Sequence, residues 1–254
     1  MKKLFLVIMA LSLLLVTGCG KESLSSQEQG SGYTVVEARG KKITFASAPK
    51  RIVCLNYSAT DILTDLIPTE RIIATDMWAR EEDLSNCYEK LKGIPVCENN
   101  PEQIMKFNPD LVILTEGRAN ELADTLDSVG VKTCVLRQPK TIQEIPDYIK
   151  IVGEVADTKA AADSLAEKVA AYLKASAGGQ KIESVLLIHP NGGIGQKGSM
   201  PASICEACNI ENLAAKYDFP QSSYLSKEQI IAMNPQRIIA VSYTHLTLPT
   251  ILLV

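Results

Sequence analysis

This chain has few histidines and no excess of basic residues. Its 254 residues include 2 histidines, too few for a site that holds free zinc or manganese through several imidazole and carboxylate ligands. The formal net charge of −3 lacks the basic excess of a nucleic-acid-binding protein. Neither a G-x-S-x-G motif nor a P-loop occurs, so a hydrolase or an NTPase has no support. What remains is a globular protein, 46% hydrophobic, with enough apolar sequence for more than one domain core.

A hydrophobic run of transmembrane length is also missing. Two lysines precede an apolar run over residues 4–16, which is too short to span a bilayer comfortably and is typical of a secretory signal. The run ends in small residues before Cys19, a pattern that resembles the lipobox of bacterial lipoproteins. The alternative is an ordinary cleaved signal with an incidental cysteine. We expect residues 1–18 to be the signal peptide and 19–32 a lipidated flexible tether. The protein would then be exported and lipid-anchored to the outer face of the cytoplasmic membrane.

Two distant segments repeat one motif. Residues 102–104 and 228–230 both read Glu-Gln-Ile, and each is followed at the same distance by Asn-Pro and an apolar strand. Because the residue before proline avoids the α region, each copy predicts a short helix that ends at Asn-Pro and leads into a buried strand, 111–114 or 237–240. The repeat predicts two copies of one α/β lobe with a ligand cleft between them.

Strands and helices alternate along the first copy. After a predicted hairpin over residues 33–45, a strand over 51–55 leads to a helix that Ser58 could cap, and further strands are predicted at 72–74 and 133–136. This alternation is typical of a mostly parallel sheet.

The link between the copies is a long helix. Residues 158–174 predict one uninterrupted helix with Ala161, Leu165, Val169 and Leu173 in one stripe. The predicted fold class is therefore α/β, with two Rossmann-like lobes of mostly parallel strands joined by one long rigid helix. Its parts are an N-terminal lobe, an inter-lobe helix and a partial C-terminal lobe, over residues 33–155, 156–177 and 181–240.

Loops at the carboxyl ends of parallel strands meet at the binding crevice. The sequence places there two aromatic residues that could stack on a flat ligand and several cations that could hydrogen-bond to anionic or oxygen-rich groups. The candidate ligand-binding residues are Tyr57, Trp78, Arg80, Arg118, Arg137, His189 and Lys197. His189 could ligate iron or cobalt, or could be a hydrogen-bonded structural residue.

Glycines in the same loop as Lys197 match a dinucleotide-binding pattern. Residues 193–198 satisfy G-x-G-x-x-G after a strand. Four residues separate the strand from the first glycine and no helix begins inside the motif, so we interpret the loop as flexible cleft lining.

The 7 cysteines include one assigned to lipid and an even remainder. We expect Cys54 and Cys134 to be buried thiols, and Cys87 with Cys97 to be the most plausible disulfide. The C-x-x-C pair at 205–208 stands alone, which favours two small apolar residues on one helix over a zinc site.

Several of these segments together resemble one known family. Residues 49–53, the Asn-Pro strand at 108–113, the long helix and the second copy at 226–235 resemble the periplasmic-type binding lipoproteins of ABC importers for iron-siderophore, haem and cobalamin complexes. The resemblance implies a non-enzymatic monomer that captures an iron(III) complex of siderophore type in the inter-lobe cleft and delivers it to a permease dimer with its ATPase. Cobalamin or haem is the alternative cargo, and a lipid-anchored enzyme is a remote alternative. The metal complex is the ligand, and no cofactor and no nucleic acid is expected.

In that family each lobe presents one surface glutamate to arginines on the membrane permease. By motif position these fall on Glu102 and Glu228. The alternative is that both are first-turn glutamates favoured by the helix dipole, which contributes about 0.3–1 kcal/mol.

The last residues resemble a laboratory sequence. Residues 241–250, VSYTHLTLPT, match the translation of a transposon-derived sequencing adapter, so we expect 241–254 to be non-native and the second lobe to be truncated. The alternative is a genuine strand through Tyr243 and Leu246.

Overall fold

The computed structural model describes residues 32–117, 119–177, 182–188, 195–217 and 225–240. The predicted signal peptide, the lipidation site Cys19, Arg118, His189 and the tail from residue 241 lie outside the described residues. Within the described part of the chain, no helix is both long and apolar enough to cross a membrane.

The described residues form nine strands and eight α-helices, numbered in chain order. The strands are β1 (Tyr33–Val36), β2 (Lys42–Phe45), β3 (Ile52–Leu55), β4 (Ile72–Thr75), β5 (Leu111–Thr115), β6 (Thr133–Leu136), β7 (Ile182–Ile188), β8 (Ile210–Asn212) and β9 (Arg237–Ala240). The helices are α1 (Tyr57–Leu66), α2 (Pro101–Lys106), α3 (Asn120–Ser128), α4 (Ile145–Ala156), α5 (Lys159–Ser176), α6 (Met200–Ala207), α7 (Leu213–Lys216) and α8 (Lys227–Met233).

The N-terminal lobe is built on one parallel sheet of order β4-β3-β5-β6. The predicted hairpin forms as the antiparallel pair β1-β2. All four residues of β3 and of β6 are buried, because helices cover both faces of the sheet. One face packs Leu63 and Val152 against the strands, and the other packs Ile104 and Leu126. The prediction of a mostly parallel α/β lobe is confirmed.

The second lobe has a parallel sheet of order β8-β7-β9. The repeat between the lobes is confirmed at the level of backbone conformation. Each short helix is followed, within two residues of its last residue, by an asparagine in the left-handed region, Asn108 with φ 47° and Asn234 with φ 48°. Asparagine tolerates this conformation, which turns the chain sharply into the following proline and strand.

The residue after each proline makes the same pair of hydrogen bonds at the neighbouring strand. The Asp110 carboxylate accepts the Arg51 backbone N–H at 2.9 Å, and the Gln236 side-chain oxygen accepts the Ser184 backbone N–H at 2.9 Å. In return the backbone N–H groups of Asp110 and Gln236 donate to the backbone carbonyls of Arg51 and Ser184, at 3.0 and 3.1 Å. These bonds start the pairs β3-β5 and β7-β9 in the same register, as two copies of one lobe would.

The prediction of a buried strand is right for the first copy and wrong for the second. Residues Leu111–Leu114 are fully buried, whereas all four residues of β9 are exposed, with Ile238 at 41% and Ile239 at 44%. Position at an edge of the sheet is not sufficient, since β6 is also an edge strand and is fully buried. The described core of the second lobe, around Leu186 and Met233, includes no residue of β9.

The long helix α5 forms as predicted, but its buried stripe is shifted by one residue. Ala161 is exposed, and Ala162 and Ala166 are buried, with Leu165 and Val169 partly buried beside them. The shift follows from the neighbouring helix, because α5 packs along α4 and presents its smallest side chains to it.

The predicted bridge between Cys87 and Cys97 is wrong. Both are free thiols, and they belong to core clusters on opposite faces of the sheet. Cys54 and Cys134 are buried thiols, as predicted. Both pair with Ile113 of β5, one on each side of it, so their Cα atoms are about 9–10 Å apart, which is too far for a disulfide.

The C-x-x-C pair also carries free thiols. Cys205 is buried on α6, and Cys208 is the residue that caps the end of this helix. Across the described residues, no group of three or more histidine, cysteine or acidic side chains is arranged to hold a metal ion.

Candidate functional site

A cavity of about 790 Å³ lies at the carboxyl ends of the N-terminal sheet. Its walls are the loops that follow β3, β4, β5 and β6, together with the segment around Val96, which bridges to Thr75. This is the crevice that a parallel α/β sheet provides for ligands. Its lining residues are Leu55, Asn56, Tyr57, Asp76, Met77, Trp78, Val96, Cys97, Glu98, Asn99, Thr115, Glu116, Ala119 and Gln138.

Asn56 holds the floor of this cavity together. Its side-chain oxygen accepts the backbone N–H of Ala59 at 3.0 Å, so Asn56, and not the predicted Ser58, caps α1. The same oxygen accepts from the Gln138 amide and the Tyr148 hydroxyl, both at 3.2 Å. One carboxamide thus connects the loop after β3 with the loop after β6 and with α4.

The other half of the Asn56 carboxamide is unpartnered. Its Nδ2 is buried and makes no hydrogen bond, in a residue that is 1% exposed and lines the cavity. A buried amide without a partner costs about 1–3 kcal/mol, so an acceptor oxygen placed here would be stabilised.

Asp76 fixes the loop that carries the tryptophan. Its carboxylate accepts the Ala79 backbone N–H at 2.9 Å, and its own amide donates to the Cys54 carbonyl at 3.3 Å. The resulting turn is the 3₁₀ segment Trp78–Arg80. Burial raises the pKa of Asp76 above its usual value, against the lowering effect of the Ala79 and Trp78 backbone N–H groups. Trp78 is 47% exposed, and Tyr57, at the start of α1, is 51% exposed. Both offer an accessible aromatic ring at the cavity.

Glu116 and Arg137 join the ends of β5 and β6. The Arg137 guanidinium donates to both carboxylate oxygens, at 2.7 and 2.8 Å. The Arg137 hydrogen bond lowers the pKa of Glu116. Glu116 lines the cavity, and Arg137 lies beside it with its charge already paired.

The structure brings only some of the sequence-predicted residues together. Tyr57 and Trp78 line the cavity, and Arg137 borders it through Glu116. Arg80 does not line it, because its guanidinium donates to the Ile94 carbonyl and its Nε is buried without a partner. Arg118 and His189 are outside the described residues.

Lys197 lines a second cavity, of about 840 Å³, which shares no lining residue with the first. This cavity lies between α6, β8 and the segment before α4, where the Ile142 amide donates to the Ser203 hydroxyl at 3.0 Å. Its charged lining residues have both signs: Lys197 and Lys216 with Glu206 and Glu211.

Sequence reasoning missed seven polar residues that line the first cavity: Asn56, Asp76, Glu98, Asn99, Thr115, Glu116 and Gln138. Asn56 had a readable signal, since asparagine directly before a helix is a preferred N-cap. The strand-end positions of Asp76 and Glu116 were a signal too, because polar residues there face the crevice.

Glu102 and Glu228 occupy equivalent places. Each is the second residue of its helix, α2 or α8, and both are exposed. The helices start on side-chain caps, Asn100 in one and a capping box of Ser226 and Gln229 in the other.

Known proteins share this sequence pattern and fold. A family described as periplasmic binding protein matches residues 52–246. An uncharacterised ABC transporter substrate-binding lipoprotein, YvrC, of Bacillus subtilis is 24% identical over 176 residues, which cover 65% of this chain and 54% of that protein. A cobalamin-binding protein of Halobacterium salinarum is 24% identical over 214 residues, 81% of this chain and 58% of that protein. The chain thus spans little more than half the length of these relatives.

Solved structures agree on the fold. A possible iron-binding periplasmic solute-binding protein of Staphylococcus epidermidis superposes with a TM-score of 0.62 at 23% identity, over 76% of this chain and 78% of that one. The haem-binding protein HmuT superposes with a TM-score of 0.64 at 18% identity, over 82% of this chain and 71% of that one. At these identities the likeness shows the two-lobed α/β architecture and no more.

Proposed function

Because this chain belongs to the periplasmic binding protein family, we propose that it is an extracytoplasmic solute-binding lipoprotein for an iron(III) complex of siderophore type. It captures the complex in the inter-lobe cleft and delivers it to the permease of an ABC importer. In this proposal Cys19 carries the lipid, residues up to 32 form the tether, and the chain works as a monomer at the outer face of the cytoplasmic membrane.

The observation that carries the proposal is the cavity at the strand ends of the N-terminal lobe. Its volume of about 790 Å³ suits a small-molecule ligand, since such sites usually measure about 300–1,000 Å³. Tyr57 and Trp78 would stack on the organic part of the complex, and the Asn56 amide would donate to one of its oxygens. Arg118, Arg137 and His189 are proposed to contact the ligand from the loops around it, and Lys197 is proposed to contact it from the side of the second cavity.

Binding fits the described lining residues better than catalysis does. The one thiol among them is Cys97, which is buried and whose Sγ donates to the Glu98 carbonyl at 3.4 Å. The carboxylates of Asp76 and Glu116 are engaged by the Ala79 backbone N–H and by Arg137. Burial raises the pKa of the Cys97 thiol, which keeps it protonated and unreactive. A lipid-anchored enzyme would need an activated nucleophile or a paired acid and base in this place.

Docking to a permease is proposed for Glu102 and Glu228. They are exposed, they sit at matching positions of the two lobes, and a two-fold permease would offer two matching contacts.

The second candidate cargo is cobalamin or haem. It is favoured by the relatives, which include a protein named for cobalamin binding and structures named for haem binding. Its aromatic or corrin plane would also stack on Trp78.

The test uses Trp78, the single tryptophan of the chain, as a reporter in the cavity. The exported chain is titrated with ferric siderophores, haem and cobalamin while its fluorescence is recorded. Saturable quenching by one of them, with weaker binding of the Trp78→Ala variant by calorimetry, supports the proposal and names the cargo. No binding of any of them would overturn it.

A further inference from the structure

We propose that the N-terminal wall of this cleft selects metal complexes that carry a cationic group, and disfavours complexes with several negative charges. This inference rests on the proposed function and specifies the class of cargo. The complex it fits best is a ferric hydroxamate with a pendant ammonium group.

The first ground is the charge of the wall. Three carboxylates line the cavity, those of Asp76, Glu98 and Glu116. Among the described residues that line it there is no lysine, arginine or histidine. A bound polyanion would face these carboxylates with no opposing cation from the same described wall.

The nearest arginines are already engaged. Arg137 makes a two-pronged ion pair with Glu116, and Arg80 is turned onto the Ile94 carbonyl. For Arg137 to bind an anionic ligand it would have to leave Glu116 and uncover a further negative charge. Arg80 and Arg137, two of the arginines that the sequence suggested as anion-binding groups, therefore leave the described wall acidic.

The second ground is the position of Asp76 beside the aromatic rings. Its carboxylate is tied to the Ala79 amide in the same turn that carries Trp78, so it stays in the cavity wall. Trp78 and Tyr57 are half exposed over the same space. Aromatic faces together with carboxylates are a preferred environment for organic cations, which are attracted by both.

The third ground is Asn56. Asn56 lines the cavity and its buried Nδ2 lacks a partner, so a ligand that brings an acceptor oxygen as well as a cation would satisfy it. Three hydroxamates balance the charge of iron(III) and leave neutral oxygen acceptors on the surface of the complex. Three catecholates leave a charge of about −3, by formal charge balance, which this wall would repel.

The experiment compares two matched ligands that differ by one charge, together with a third ligand that carries several negative charges. A linear ferric trihydroxamate with a free terminal amine is compared with its N-acetylated form, which keeps the chelate and removes the cation, and with a ferric tricatecholate. Binding to the exported chain is measured by Trp78 quenching and by calorimetry at low and at moderate salt. We expect the amine form to bind at least ten times more tightly than the acetylated form, and this ratio to shrink as salt is added.

Variants locate the effect. Asp76→Asn keeps an oxygen that can accept from Ala79, and Glu98→Gln removes the charge of an exposed residue. Each should reduce the preference for the amine form several-fold. Glu167→Gln, on the exposed face of α5, is the matched control and should leave the preference unchanged. Equal melting temperatures would establish that all three variants are folded.

The outcomes separate this inference from the proposed function. If the acetylated complex or the tricatecholate binds as tightly as the amine form, the charge selection is refuted while the binding function stands. If no iron complex, haem or cobalamin binds at all, the proposed function itself fails.

Discussion

Gly153 of α4 approaches Ala162 of α5 so closely that a Cβ atom added to Gly153 would lie 2.1 Å from the Ala162 Cβ. The two helices can pack at this distance only because one of the facing residues has no side chain. Glycine inside a helix costs about 0.5–1 kcal/mol relative to alanine, so close packing must outweigh that cost here.

We therefore expect Gly153→Ala to lower the free energy of unfolding by about 1–3 kcal/mol, since the methyl group forces the helices apart. Urea denaturation followed by circular dichroism measures the change. Adding Ala162→Gly to the same chain should recover part of the loss, because it makes room for the new methyl group. A stabilising Gly153→Ala would contradict the close packing.

The left-handed turn at Asn108 predicts a specific pattern of tolerance. Asn108→Gly should change the free energy of unfolding by a few tenths of a kcal/mol at most, because glycine adopts φ 47° freely. Asn108→Val should cost about 1–2 kcal/mol, because a β-branched side chain is strained in this conformation. Thermal unfolding of both variants checks the prediction, and equal stabilities would show that the turn relaxes.

The repeat made this turn predictable, because Asn-Pro recurs before an apolar strand in both lobes. The elements of the N-terminal lobe followed from the same local patterns. Strand order and the orientation of polar side chains did not, since they depend on distant partners. Arg80 is drawn to the carbonyl of Ile94 and Arg137 to Glu116 on a neighbouring strand, contacts that no local pattern encodes. The sequence thus located the crevice, but the partners of Arg80 and Arg137 become visible only in the folded chain.

Asn56 should matter more for stability than an ordinary helix cap. Asn100→Ala removes one capping hydrogen bond, from the Gln103 backbone N–H, and should lower the free energy of unfolding by about 1 kcal/mol. Asn56→Ala also leaves the Gln138 amide and the Tyr148 hydroxyl without their acceptor, so we expect a cost of about 2–3 kcal/mol. Urea unfolding of the two variants side by side gives the difference. Equal costs would mean that the Gln138 and Tyr148 bonds contribute nothing.

Acid should weaken the ion pairs that Asp127 makes with Arg39 and Lys41, which lie between β1 and β2. Burial favours a raised pKa for Asp127, but hydrogen bonds from Lys41, Thr133 and Arg39 outweigh it and hold the pKa below the usual 3.8. A lowered folded-state pKa means that the carboxylate stabilises the fold above about pH 4 and loses this effect as the pH falls through the folded value.

The corresponding variant is Asp127→Asn. It should be about 1 kcal/mol less stable than the parent chain at pH 7, and the gap should narrow below pH 4. Urea unfolding at pH 7, 5 and 3 measures it. Asp163→Asn removes a partly exposed carboxylate that pairs with Lys159 on α5 and should show a smaller gap at every pH. A gap that stays constant with pH would contradict the assigned role of the Asp127 charge.

The proposed docking glutamates can be separated from helix-dipole residues by a third glutamate. Glu121 is exposed and is the second residue of α3, the helix position that Glu102 and Glu228 hold in theirs, but it is not part of the repeat. Replacement of any of the three by lysine removes the same favourable interaction with the helix N-terminus, about 0.3–1 kcal/mol. Stability alone therefore cannot distinguish them.

Delivery to the transporter can distinguish them. In vesicles that hold the cognate permease and ATPase, we expect Glu102→Lys and Glu228→Lys each to reduce binding-protein-stimulated ATP hydrolysis at least ten-fold, because a lysine would face permease cations. Glu121→Lys should leave this stimulation unchanged, and all three variants should bind the metal complex as the parent chain does. If the three glutamates behave alike in this assay, Glu102 and Glu228 are ordinary first-turn residues, and the repeat reflects the duplicated fold without a docking role.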